Sequence, residues 1–352
     1  MNVLVLFGGR SAERVVSCFS AAAVLRHFGR HKPVLVRIDP KGRWHYQKNP
    51  KAFSRHPKPP SRRFDRIPAR LSDDPKPKLI VGRKTLRIDA AFPLIHGPYG
   101  EDGTLQGLIE FMRIPCVGTG VLGSAVGMDK VMTKRLAREA GLPVLPYGVT
   151  DSAKRISTAR GLKYPLFVKP VRLGSAVGVS MVKRPKDLAA AVRKALRFDM
   201  EVLIDQGVPR AREIEVSVLG AGASARASIP GEIRPTHEYY DYDAKYIDPD
   251  GAELLVPARV PAAKAREVRS LALRAYRALG CDGMARVDFL MDRRSGKLYF
   301  NELNTIPGFT AISMYPKLWA ASGLSFTRLV DRLIISAVAR HKVRVRLSIT
   351  RD

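Results

Sequence analysis

The chain has 352 residues, and its 61 Lys and Arg against 32 Asp and Glu leave a formal net charge of +29. With 45% hydrophobic and 26% charged residues it is a globular chain long enough for two or three domains, and not a disordered one. No apolar run approaches the roughly 18–20 residues of a membrane span, the start MNVLVLFGGRSAER lacks the make-up of a secretory signal, and the three scattered cysteines Cys18, Cys116 and Cys281 exclude a disulfide framework or a Cys-rich zinc site. A reduced, cytoplasmic protein is expected.

In chain order, VLVLF (3–7) reads as a fully buried strand, followed by Gly8-Gly9 and a helical pattern from about Ala12 to Phe28. VLVRI (34–38) is a second strand, so the chain opens as βαβ with a parallel sheet, an α/β class. From Arg26 to Arg87 there are 19 Lys and Arg against four acidic residues, or +15 within 62 positions. Such a surface attracts nucleic acid, anionic lipid or phosphorylated small molecules. The stretch is proline-rich (RHPKPPSRRF, DDPKPK), has no aromatic interleaving and matches no nucleic-acid module. A solvated insertion at about 43–88 is therefore expected, with weak hairpin signals at WHYQ and KTLRI. AAFPLI (90–95) is a buried strand running into the loop HGPYGEDGT, then come a helix over 105–112 and a strand IPCVG at 114–118. The first domain closes at residue 122.

From Met128 a helix carries Lys130 and stops at Gly141-Leu142-Pro143. A strand near 144–149, a polar helix near 152–160 and the strand PLFVKP follow. The glycine loop RLGSAVG leads to the strand VGVSMV, and PKDLAAAVRKAL is a helix with Pro in its first turn. EVLID and EIEVSVLG are strands and complete a central segment, 123–222. The third segment, 223–352, holds the loop HEYYDYDAKYIDPDG, a long helix over 262–279, a hairpin over 284–304 and two closing helices.

The strongest chemical signal lies in that hairpin. Arg294-Ser295-Gly296 fits a three-residue loop with Gly left-handed, which makes paired positions sum to about 590. Asp288 then faces Glu302 and Arg286 faces Asn304, all on one side of the sheet. Facing carboxylates repel unless a cation lies between them, and Asp, Glu and Asn oxygens suit Mg²⁺; the competing arrangement is a salt bridge between Arg286 and a carboxylate. Lys169 ends an apolar strand where a charge is costly to bury, and Gly174 to Gly178 allows close backbone approach to an anion. GTGVLG (118–123) matches GxGxxG only formally, being away from the first βαβ turn. Among the histidines, only His96, at a strand end before a glycine loop, is placed for chemistry.

Read together, LFGGRSAER, HGPYGEDGTLQG, GMDK, FVKP with RLGSAVGVS, VLIDQ and REIEV, YDYDAKY, ARVDF and NELNTIPGFT resemble, in order, the motifs of D-alanine–D-alanine ligases of the ATP-grasp superfamily. They span residues 4 to about 314. The resemblance implies a three-domain ATP-grasp architecture, with an N-terminal Rossmann-like parallel sheet and a nucleotide site between two antiparallel sheets. It implies ATP-dependent ligation of two D-alanines through an acyl phosphate, with two Mg²⁺ or Mn²⁺ ions, in a cytoplasmic homodimer. Lys130 and Lys169 would contact the nucleotide phosphates and Lys245 the γ-phosphate. Asp288, Glu302 and Asn304 would hold metal. Glu213 would bind ribose, and the backbone of Asp205, Gln206 and Val208 would frame adenine. Glu13 would receive the first D-alanine ammonium, with His96 nearby, and Glu13, Ser175 and Tyr246 would close the lid loop 237–250. Arg286 and the Gly308 amide would stabilise the tetrahedral oxyanion, and Ser313 with Met314 would take the second carboxylate. This sequence departs from the family pattern at Val15, Ala176 and Asp205, and by one extra residue between Asp205 and Glu213. Competing readings are another ATP-grasp ligase joining different amino acids, and a basic surface-binding protein on an inactive ligase scaffold.

Overall fold

Residues 1–57, 64–72, 77–235 and 251–348 are described by the computed structural model. The first sheet takes β1 (Asn2–Gly8), β2 (Lys32–Ile38), β3 (Trp44–Tyr46), β4 (Ile67–Leu71), β5 (Lys78–Val81), β6 (Lys84–Arg87) and β7 (Ala90–Pro93), in the spatial order β6-β5-β4-β3-β2-β1-β7. β1 runs parallel to β2 and β7. Its VLVLF residues are all 0% exposed, as a strand covered on both faces requires. The side-chain period of two sends Val3, Val5 and Phe7 to one core and Leu4 and Leu6 to another. The first core is closed by α1 (Arg14–Arg26), and α2 (Pro50–Arg55) adds Phe53; the second is closed by α3 (Thr104–Phe111).

The parallel sheet is smaller than expected and has an antiparallel extension. The basic stretch read as a solvated insertion supplies β3 to β6, which pair antiparallel in sequence order. Ile67, Ala69 and Leu71 alternate toward the same core as Leu79 and Val81. The intervening Pro, Lys and Arg hid that alternation. The segment 114–118 is not a strand: Cys116 forms only an isolated bridge to Ala91. GTGVLG leads directly into α4 (Val121–Met128), and the expected helix at Lys130 is a separate one, α5 (Lys130–Glu139). Asp129 breaks the two and caps the second, its Oδ1 accepting from Val131 N and Met132 N at 3.0 and 2.9 Å.

The second sheet takes β8 (Tyr147–Thr150), β9 (Leu166–Pro170), β10 (Ser180–Val182) and β11 (Val202–Gln206), all antiparallel in the order β10-β9-β11-β8. The polar helix expected near 152–160 is reduced to one 3₁₀ turn, Ser157–Ala159. Thr150 Oγ1 lies 2.9 and 2.7 Å from the carbonyls of Ser152 and Arg155, and this side-chain bonding competes with helix formation. One face of the sheet packs on α6 (Leu188–Ala195); the other carries Lys169 and Asp205 and meets α5.

The third sheet takes β12 (Arg212–Gly220), β13 (Arg226–Ala227), β14 (Gly231–Pro235), β15 (Ala252–Leu255), β16 (Gly283–Met291) and β17 (Leu298–Asn304), again antiparallel. The long helix α7 (Ala262–Ala278) covers its inner face. α8 (Met314–Ala321) and α9 (Phe326–Arg344) close the chain, and α9 returns to the first core through Leu329, Val330 and Leu333.

The hairpin loop is one residue longer than expected, because Asp292 pairs with Lys297. Asp292 Oδ1 accepts from the amides of Arg294 and Ser295 at 3.0 and 2.7 Å and so builds the wider turn. Gly296 is left-handed at φ 66°, as expected. A bulge at Asn301 then restores the register, so Asp288 does face Glu302 and Arg286 does face Asn304.

Candidate active site

Between the second and third sheets lies a cavity of about 650 Å³, lined by Tyr164, Phe167 and Met181 on one side and by Glu213, Ile233 and Leu290 on the other. Its volume suits a nucleoside. Val208 also lines it, whereas the Gln206 side chain accepts from Lys163 N at 3.0 Å.

Lys130 stands at the first position of α5, where a cation opposes the helix dipole; the Asp129 cap offsets this. Its Nζ donates to Leu173 O at 2.5 Å, at the start of the glycine loop. In that loop Ser175 and Ala176 hold φ of 52° and 55° and Gly178 holds 74°. Two consecutive non-glycine residues in the left-handed region are strained. Lys169 Nζ donates to Asp205 Oδ2 at 3.2 Å. The Asp205 carboxylate is 2% exposed and lies 3.0 Å from Lys134 Nζ as well.

Across the third sheet Glu215, Asp288 and Glu302 stand in one row on β12, β16 and β17, with Ser217, Arg286 and Asn304 in the next. Arg286 grips Asp288 with two hydrogen bonds of 2.8 and 2.7 Å and lies 3.1 Å from Glu215. Burial acts to lower the Arg286 pKa, but Asp288 and Glu215 push it well above its ordinary value. The competing salt bridge is therefore present, within the row of facing carboxylates. Among the described residues no three His, Cys, Asp or Glu side chains converge to enclose a metal by themselves.

Glu13 precedes α1, is 8% exposed, and accepts a hydrogen bond from Ser175 Oγ, which joins the first sheet to the glycine loop of the second. A Cβ at Gly97 would strike the Glu13 carboxylate, and Gly97 has φ 76°. His96, 4% exposed, has Nε2 3.0 Å from Ser20 Oγ and Nδ1 3.3 Å from Glu101 Oε1. Ser313 precedes α8, its Oγ accepting from Thr310 N at 3.0 Å, and Gly308 lies against the same hydroxyl. The Met314 side chain is buried with Ile233 and Leu318, which leaves its backbone amide, in the first turn of α8, as the group it can offer a substrate. Burial pushes the thiols of Cys18, Cys116 and Cys281 up to about 12, which removes them as nucleophiles.

Two family models cover this chain: "D-ala D-ala ligase N-terminus" matches residues 2–119 and "D-ala D-ala ligase C-terminus" matches residues 136–335. The chain belongs to the D-alanine–D-alanine ligase family. It is 46% identical to D-alanine–D-alanine ligase A of Bradyrhizobium diazoefficiens, over 98% of this chain and 96% of the relative. It is 45% identical to the D-alanine–D-alanine ligase of a Thermoanaerobacter species, over 98% of each. Among solved structures, the D-alanine–D-alanine ligase of Coxiella burnetii superimposes with a TM-score of 0.86 at 35% identity, over 98% and 96% of the two chains. The VanG D-Ala:D-Ser ligase of Enterococcus faecalis gives 0.85 at 32%, over 96% and 99%. These neighbours bear out the ATP-grasp architecture.

Within this ligase-family chain, the whole of the expected lid loop 237–250, with Lys245 and Tyr246, lies outside the described residues. Three residues were not foreseen from sequence: Glu215, Glu101 and Lys134. Glu215 sits two residues from Glu213 in EIEV and so shares its face, and Lys134 lies one helical turn beyond Lys130. Both spacings were visible, but their partners come from other strands.

Proposed function

We propose that this protein joins two D-alanines into D-alanyl-D-alanine, converting ATP to ADP and phosphate, and so supplies peptidoglycan synthesis in the cytoplasm. One observation carries the reading: on the strands that line the nucleoside-sized cavity, the same faces continue into charged groups, Lys169 two residues beyond Phe167 on the second sheet, and Glu215 and Asp288 two residues from Glu213 and Leu290 on the third, with Arg286 and Glu302 beside them.

In this mechanism adenine lies in the cavity, framed by the backbone of Asp205, Gln206 and Val208, with the ribose at Glu213. Lys130, Lys169 and Lys245 take the phosphates. Glu13, near His96, holds the ammonium of the first D-alanine, whose carboxylate attacks the γ-phosphorus to give an acyl phosphate and ADP. Ser313 Oγ and the Met314 amide hold the carboxylate of the second D-alanine at the positive end of α8. Its neutral amine attacks the acyl carbon, Arg286 and the Gly308 amide face the developing oxyanion, and phosphate leaves as the peptide bond forms. The Glu13–Ser175 hydrogen bond, completed by Tyr246, ties down the loop that excludes water from the acyl phosphate. Asp288, Glu302 and Asn304 offer hard oxygen donors that fit Mg²⁺ or Mn²⁺, with the substrate completing the shell, and two such ions would neutralise phosphate charge. Phe111 and Leu122, 86% and 67% exposed on the adjacent helices α3 and α4, support a homodimer joined through that surface.

Phosphate release from ATP with single amino acids tests the reading. D-alanine should stimulate it and yield the dipeptide, and L-alanine should not. Stimulation by L-alanine alone would sink it, and tight, salt-sensitive DNA binding without ATP turnover would favour the surface-binding alternative.

A further inference from the structure

Lys134 has no part in the mechanism above, yet among the described residues it is the one lysine with a buried side chain, 1% exposed. It projects from α5 into the space between the second sheet and the carboxylate row. Its Nζ lies 3.0 Å from Asp205 Oδ1 but off the hydrogen-bonding direction, so the attraction is one of charge. The other oxygen of Asp205 accepts from Lys169 Nζ at 3.2 Å. One carboxylate, itself 2% exposed on an interior strand, is thus shared by two ammoniums, and the three groups carry a net charge of one positive. The Tyr147 ring, 5.6 Å from Lys134 Nζ, gives the buried cation further support.

With Lys134 in place, Asp205 is already neutralised when Lys169 turns away from it. Without Lys134, Lys169 is the sole counter-ion of a buried carboxylate, and moving it toward a phosphate strands that charge. We propose that Lys134 is a positioning residue that releases Lys169 from Asp205 for contact with the nucleotide phosphates. The inference rests on the reading of Lys169 as a phosphate ligand.

Calorimetric titration of a non-hydrolysable ATP analogue with Mg²⁺ into four proteins tests both: the unaltered chain, Lys169→Met, Lys134→Met, and Lys134→Met combined with Asp205→Asn. Lys169→Met should bind much more weakly, which checks the underlying reading on its own. Lys134→Met should weaken binding by about tenfold or more, and the double variant should return to within about threefold of the unaltered chain, because no charge remains to hold Lys169. Asn keeps the backbone at position 205 that frames adenine, so the comparison that counts is the double variant against Lys134→Met, and KM for ATP should follow the same order, with kcat at saturating ATP changing far less. If Lys134→Met proves unstable, Lys134→Gln keeps most of the length, removes the charge, and should give the same order. Full affinity in the Lys134 variants overturns the proposal, and so does a double variant as weak as the single one, which would mark Lys134 as a packing residue. Undiminished binding by Lys169→Met would overturn the reading of Lys169 and the proposal together.

Discussion

Glu302 stands opposite Asp288, which in turn stands opposite Glu215, so the centre of the third sheet carries like charges side by side. Arg286 pairs with Asp288 and Glu215, and its charge attracts Glu302 as well. Glu302→Gln removes a facing like charge together with that attraction, so it should leave the melting temperature little changed while lowering kcat by about a hundredfold or more, because a hard oxygen donor of the proposed site is lost. Melting curves and phosphate release on the same sample check this; a fully active variant would remove Glu302 from the proposed metal ligands. His96 permits a prediction of sign. Burial acts to lower its pKa, but the hydrogen bond and charge of Glu101 and the charge of Glu13 lift it above the ordinary histidine value. A raised folded pKa means the pairing stabilises the fold fully below the unfolded pKa of about 6.5 and loses that contribution as pH rises through the folded value. His96→Gln should accordingly cost more stability at about pH 5.5 than at about pH 9. An equal cost at both would show that His96 is held by packing alone.

The glycine loop shows how an element can be strained in service of a site. Ala176 sits at φ 55° directly after Ser175 at φ 52°. A left-handed residue with a Cβ costs about 1–2 kcal/mol, so Ala176→Gly should gain up to about 1 kcal/mol after the added entropy of the unfolded glycine is subtracted. Denaturant midpoints check the direction, and a destabilised variant would mean that the Ala176 methyl group packs in a way that outweighs the strain. The hairpin shows what can be read in advance at this scale. Its strands alternate cleanly, and Asp288 and Glu302 could be set opposite each other from sequence. The longer turn built by the Asp292 carboxylate and the bulge at Asn301 are both single-residue events, and their effects on the register cancel. An unbroken apolar run such as β1 and a strong hydrophobic period such as that of α7 were legible as well. IPCVG and the 152–160 segment were not, because a lone bridge and a threonine hydroxyl decide them.

At the scale of the molecule, the net charge of +29 is spread over a fold whose buried charges are mostly paired. Self-repulsion among exposed Lys and Arg should be screened as the Debye length falls from about 30 Å at 0.01 M salt to about 8 Å at 0.15 M. The melting temperature should rise over that range, and a fall would mean that surface ion pairs such as Arg344–Glu110 outweigh the repulsion. The basic stretch also marks the limit of what composition reveals. Its charge predicts a solvated insertion, yet it supplies β3 to β6, four of the seven strands of the first sheet, and Ile67, Leu79 and Val81 pack in that sheet's core. The same limit hid Lys134: a buried lysine is legible only once the strand carrying its carboxylate is in place.

The return of α9 to the first sheet ties the end of the chain to its beginning. Leu329 and Leu333 join the core that holds Val3 and Val5, Asp331 meets His31 at 2.9 Å, and Arg340 donates to the carbonyls of Cys116 and Gly118 at 3.0 and 2.8 Å. During synthesis, then, the sheet made first waits for the helix made last. Until α9 emerges, the face of the edge strand β7 that carries Ala90 and Phe92 lacks its helix on a strongly basic nascent chain, a state open to association with other chains or with RNA. Chains cut before Phe326 should accumulate as aggregates even though every expected substrate contact precedes the cut, and adding α9 back as a separate peptide during refolding should recover soluble protein.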